Sequence, residues 1–286
     1  MKIKSFIFLS LLVCSFSANV CAKKKLDGHK LQEMMRPING SIFNEGYKLY
    51  TYEKTAWIGT DMVMEHCKYK DEFEGVVVYE ATDGKLHCIA YDKFHLQCLF
   101  DYTYDENNTY SDVKRPLTEY EAKLVDMIIK MKEKCLETDM INLQKGMNVD
   151  LIPLPNNCYR MYWLTGTSKV NVVPMGNDYS FDFDENLNII KKTKYHNSFI
   201  PTKWPEGKSV QTVMQNHLED NPDMTPTDIC NFLLYARDCY EIKEFEVISP
   251  ALECVHFFNG QTNKILSVTI DALKRINKHS EKNKKK

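Results

Sequence analysis

The feature that most limits what this chain can become is its first 22 residues, MKIKSFIFLSLLVCSFSANVCA. Lys2 and Lys4 make a positive head, Phe6 to Phe16 an apolar stretch, and Val20-Cys21-Ala22 a small-residue cleavage site, which are the three parts of a secretory signal. The stretch is too short to cross a bilayer, which takes about 20 apolar residues. The expectation is a signal peptide over 1–22, cut after Ala22, and a mature protein that is exported, periplasmic or extracellular. A lipid on Cys21 is the alternative, and Ala18-Asn19-Val20 is a poor lead-in for it. No later run reaches bilayer length, so no membrane span is expected.

Export changes how the cysteines read. The chain has ten; without Cys14 and Cys21 there remain Cys67, Cys88, Cys98, Cys135, Cys158, Cys230, Cys239 and Cys254. An even number outside the reducing cytosol predicts disulfides, with Cys88 and Cys98 a candidate pair on neighbouring strands. No CxxC occurs, which argues against a thioredoxin-type site and the usual zinc knuckle. The formal charge of −2 becomes about −4 once Lys2 and Lys4 leave. That balance is not a nucleic-acid binder's, and no nucleic-acid partner is expected. Asn39 and Asn107 stand in glycosylation sequons.

The pattern predicts an α+β fold: a β-rich N-terminal region over 23–112, then a mixed sheet flanked by helices over 113–277, and a disordered Lys-rich tail over 278–286. Residues 23–36 read as a loose leader and 46–104 as β, with a turn at Thr82-Asp83-Gly84 and strands over 86–91 and 96–104. Residues 105–115 read as a linker. The clearest helix is 118–137, opened by the capping box Thr118-x-x-Glu121 and continued by Leu124, Val125, Ile128, Ile129 and Met131. Strands are expected over 159–164, 170–173, 179–183, 189–190, 245–248 and 254–258. Residues 201–208 read as a loop. A helix opens at Thr225-Pro226, where proline costs no hydrogen bond, and a last short helix is expected over 268–276.

One stretch has chemical spacing. His217 is followed by a polar, proline-containing loop, then Thr225 and Asp228 on the first turn of a helix. An imidazole and a carboxylate beside a helix N-terminus are ligands that zinc accepts. The same Thr225-x-x-Asp228 is also a capping box that needs no metal.

Here the chain resembles the JAB/MPN (JAMM) metalloprotease fold, whose motif is His-x-His, seven residues, Ser, two residues, Asp, with an earlier catalytic glutamate. His217 matches the second histidine, Thr225 the serine and Asp228 the aspartate, while Gln215 stands at the first histidine. The resemblance covers about residues 116–272. It implies the scaffold rather than the activity: glutamine is a poor zinc ligand, and residues 159–164 offer no acid for the glutamate. His196 is the candidate replacement ligand. The leading expectation is a non-catalytic binding protein on this degenerate scaffold, with an unknown protein or peptide as partner and no cofactor. A zinc-dependent peptidase-like hydrolase using His217 and Asp228 is the alternative, and a structural envelope protein the third.

Overall fold

The computed structural model describes residues 27–284. The signal peptide expected over 1–22 lies outside them, as do Lys285 and Lys286. The α+β class holds. Among the described residues no helix is long and apolar enough to cross a membrane.

Residues 28–66, expected as leader and strand, form one helix, α1 (Gly28–His66). Its buried stripe of Leu31, Met35, Asn39, Gly46, Leu49, Tyr50, Glu53, Gly59 and Val63 keeps helical spacing. Two of those positions are glycines because the neighbours come too close for more. A Cβ at Gly46 would lie 2.6 Å from the Ile229 Cβ, and one at Gly59 would lie 2.5 Å from the Cys88 sulfur. The β-prone Tyr50, Thr51 and Tyr52 are outweighed by the packing of that stripe. Asn39 is buried inside this helix and Asn107 is exposed, so only the second sequon offers a free side chain.

The β region begins later, with β1 (Phe73–Glu80), β2 (Leu86–Asp92) and β3 (Gln97–Tyr104) as antiparallel neighbours. Gly84 turns the first hairpin at φ +78°. The expected linker holds β4 (Tyr110–Ser111) and β5 (Arg115–Pro116), and both pair with β3. The boundary expected at 112/113 therefore falls inside one sheet. The predicted helix is α2 (Glu119–Leu136), with both hydrogen bonds of the Thr118–Glu121 box in place. Leu124, Ile128 and Met131 of α2 bury against this sheet and the next, so the two expected regions share a core.

The middle sheet runs β10-β9-β7-β6, from β6 (Met147–Pro153), β7 (Tyr159–Thr165), β9 (Tyr179–Phe183) and β10 (Ile189–Lys194). A two-stranded ribbon pairs β8 (Val172–Val173) with β11 (Thr202–Lys203), the latter inside the expected loop. The last sheet is mixed: β12 (Thr212–Asn216) lies parallel to β13 (Glu244–Ser249), and β14 (Cys254–Asn259) and β15 (Lys264–Thr269) follow antiparallel. Between β12 and β13 come α3 (Pro226–Asn231), a wider helical turn (Phe232–Arg237) and α4 (Asp238–Tyr240). The largest buried cluster joins Leu49 and Tyr50 of α1, Tyr162 and Leu164 of β7, Phe232 and Leu233, and Phe245 and Val247 of β13. Finally, α5 (Ile270–Lys284) carries the expected disordered tail as helix through 284. Its Ala, Leu, Lys and Arg are good helix formers, which composition alone obscured.

Candidate metal centre

Five residues singled out from the sequence, His196, Gln215, His217, Thr225 and Asp228, meet at one end of the middle and last sheets. Gln215 points from β12. His217 follows one residue past that strand, still tied to β13 by its N–H to the Ile248 carbonyl at 2.9 Å. Asn221 pins the loop after it to β10, donating to the carbonyls of Lys194 and Tyr195. That bond brings His196, just beyond β10, over His217.

Gly176 makes the last approach. It sits at φ +80°, and a Cβ there would collide with the Ser198 carbonyl. The close crossing sets Asp178 behind His196. The metal-ligating atoms of His196, His217 and Asp228 all lie within 4.8 Å of one another, and all three residues are buried.

The hydrogen bonds fix which ring nitrogens face inward. His196 Nδ1 is 2.6 Å from Asp178 Oδ1, and His217 Nδ1 is 2.6 Å from the Asp223 carbonyl. A carboxylate and a carbonyl only accept, so both Nδ1 atoms carry hydrogen. Both Nε2 atoms therefore present lone pairs when the rings are neutral, and they face each other at 3.1 Å. Two lone pairs at that distance repel unless a proton or a metal cation lies between them. Burial alone would push His196 down. The charges of Asp178 and Asp228 and the Asp178 hydrogen bond outweigh it and hold His196 at about 9.

Asp228 belongs to both of its sequence readings. Its Oδ2 accepts the Thr225 N–H at 2.7 Å, and Thr225 Oγ1 accepts the Asp228 N–H at 3.1 Å. Its Oδ1 accepts from Gln215 Nε2 at 2.6 Å and lies 3.4 Å from His196 Nε2. Gln215 Nε2 also approaches His217 Nε2 at 3.1 Å. Two buried oxygens at the site, Asp178 Oδ2 and Gln215 Oε1, have no hydrogen-bond partner among the described residues. A shallow cleft lined by His196, His217, Asn216, Asp220 and Asn221 opens beside the cluster.

Sequence reasoning missed Asp178, Gly176 and the Asp223 carbonyl, because none stands at a fixed spacing from the ligands it serves. The expected disulfides do not form in this structure. All eight cysteines among the described residues are free, with no two at disulfide distance. The candidate pair fails on register: Cys98 stands opposite Tyr91, and Cys88 opposite Tyr102.

No protein-family model matches the chain, and neither the curated proteins nor the solved structures contain a match to it.

Proposed function

We propose that this is an exported, metal-holding binding protein, in which His196 Nε2, His217 Nε2 and the Asp228 carboxylate hold a divalent cation. The observation that carries the reading is the facing pair of Nε2 atoms, each turned inward by a fixed Nδ1 hydrogen bond. Two imidazoles and a carboxylate are zinc's donors, and tetrahedral zinc at about 2.0–2.1 Å per bond spaces two nitrogens about 3.3 Å apart. Asp178 behind His196 is the outer carboxylate that metal-bound histidines commonly have.

Gln215 decides between a structural and a hydrolytic site. A hydrolytic site leaves one position open to water. Here an amide fills that corner, and its unpartnered Oε1 would become a ligand if the amide were reversed. The metal then serves to set the loops 195–200 and 216–221 as a rim for a protein or peptide. A JAB/MPN-like scaffold is supported by the placement of Gln215, His217 and Asp228 around one point, with His196 supplying the imidazole that position 215 lacks.

A second reading, a zinc-dependent hydrolase, is favoured by the cleft that reaches both histidines. Bound zinc would supply Lewis acidity and an activated water there. The test is metal content after zinc reconstitution of the mature chain. About one zinc per chain, lost in His217→Ala and Asp228→Ala, supports the proposal. Less than about a tenth overturns it and leaves a structural envelope role. Gln215→Ala separates the two metal readings: weaker zinc binding without peptidase turnover supports the structural site, and turnover supports the hydrolase.

A further inference from the structure

A second cluster of reactive side chains lies on the last sheet. Cys254 and His256 stand two apart on β14 and so face the same side, and both are fully buried. Cys254 Sγ is 3.5 Å from His256 Nε2, and His256 Nδ1 is 2.8 Å from Ser267 Oγ on β15. Ser267 Oγ accepts in turn from Asn39 Nδ2 of α1 at 3.0 Å. Thiol, imidazole, hydroxyl and amide thus stand in line, the arrangement of a nucleophile, its base and the groups that orient the base. The Pro222 carbonyl also faces the imidazole. Other thiols are spent differently: Cys67, Cys98, Cys158 and Cys239 approach backbone carbonyls, and Cys135 approaches the Met161 sulfur. Among the described thiols, Cys254 is the one hydrogen-bonded to a histidine.

The pair is roofed by the start of α1. Leu31 and Met35 pack on Cys254, and Gln32 donates to the Ser267 carbonyl. All three precede Pro37, which lies inside the helix and has no N–H for the carbonyl one turn back. Gly40 follows, with open space where a side chain would be, in a position where glycine weakens a helix. Residues 28–36 are therefore joined to the rest of α1 through its weakest turn, while Asn39 stays behind with Ser267.

We propose that Cys254 and His256 form a covered thiol site for small disulfides, opened by local release of residues 28–36. In the exchange, the Cys254 proton passes to His256 and the sulfur attacks one sulfur of R–S–S–R. The old S–S bond breaks, and the leaving thiolate takes the proton back from the imidazolium. The products are a mixed disulfide on Cys254 and one R–SH; Cys254 is oxidised and the reagent reduced. With the roof in place, burial holds the thiol up at about 12 and the imidazole down at about 4, so the pair is neutral and quiet. Cys254 and His256 are not among the proposed metal ligands, although the charges of His217 and Asp228 reach the His256 ring.

The test labels the intact mature chain with dithiodipyridine at about pH 8 and maps each thiol by mass spectrometry. Cys88, Cys98 and Cys230 are as deeply buried and serve as internal clocks for global opening. Cys254 is expected to react at least about tenfold faster than these three, because a local opening costs less than unfolding. Equal rates overturn the proposal. Leu31→Ser with Met35→Ser should raise the Cys254 rate alone by about another tenfold, and adding His256→Asn should bring it back down by a similar factor. A rise shared by all four thiols, or no dependence on His256, overturns it. If the loosened variant fails to fold, the wild-type comparison still decides.

Discussion

Asp228 gives one carboxylate oxygen to the backbone of Thr225 and turns the other toward Gln215 and His196. Oδ2 caps the helix and also lies 3.5 Å from His217 Nε2, while Oδ1 serves the cluster alone, so the cap can be weakened from the Thr225 side without touching Oδ1. Thr225→Ala should cost about 1 kcal/mol as a lost cap, a fall of a few degrees in Tm, with zinc binding kept. Asp228→Asn keeps an oxygen for the cap and loses the ligand charge. It should lower zinc affinity by at least about tenfold with a smaller change in metal-free Tm. Calorimetry with and without zinc reads both; loss of zinc binding in Thr225→Ala would count against the division.

Zinc should stabilise the folded chain. At a free concentration about a hundredfold above Kd, linkage contributes about 2.7 kcal/mol. Chemical unfolding should show this in wild type and not in His217→Ala.

Gly176→Ala should be costly out of proportion to one methyl group. The residue is at φ +80°, and the new Cβ would meet the Ser198 carbonyl. Strain of about 1–3 kcal/mol is expected, and with it a weaker site, since the same crossing sets Asp178 behind His196. Unchanged zinc affinity in a destabilised Gly176→Ala protein would show that the crossing does not position the histidine.

A buried acid pair predicts a pH dependence. Glu53 of α1 and Asp150 of β6 are both buried, and Asn148 donates to Glu53. Burial raises both carboxyls, and the charge of Glu53 raises Asp150 further. Unfolded, the two would titrate near about 4. Raised acids hold protons that the unfolded chain has lost, so their contribution is full below that pH and falls as pH rises above it. Asp150→Asn should therefore gain stability relative to wild type as pH goes from about 4 to 7. Urea unfolding across that range checks the sign.

His256 predicts the opposite trend. Burial first, and then the nearby His217, lower it to about 4. Its contribution is present above about 6.5, the unfolded value, and is lost as pH falls toward 4. His256→Gln should flatten the acid limb of the stability curve; an unchanged limb would show that the ring is not titrating there.

The parts legible in the sequence were those governed by local chemistry. Thr118 and Glu121 announce α2 because a capping box and an apolar repeat are both written within a few turns. That His217 and Asp228 lie together was legible for the same reason: the ten residues between them are one loop and one helix start. Helix α1 was not, since Tyr50, Thr51 and Tyr52 favour strands by themselves, and Gly46 and Gly59 look like breaks until their close neighbours are known. Asp178 was not legible either, because it reaches His196 across a sheet rather than along the chain. Cys88 and Cys98 show the limit of reading pairs from neighbouring strands, since the hairpin register alone separates them.

Helix α1 touches β15 near the far end of the described chain, with Asn39 and Ser267 bonded across a sequence separation of 228. The helix is synthesised well before the strand it needs. Closing so long a loop has an entropic cost that later contacts must offset. Folding of α1 should therefore lag its synthesis: the helix waits with its apolar stripe uncovered until the β14–β15 hairpin arrives, and a chaperone that shields that stripe would meet it in the interval.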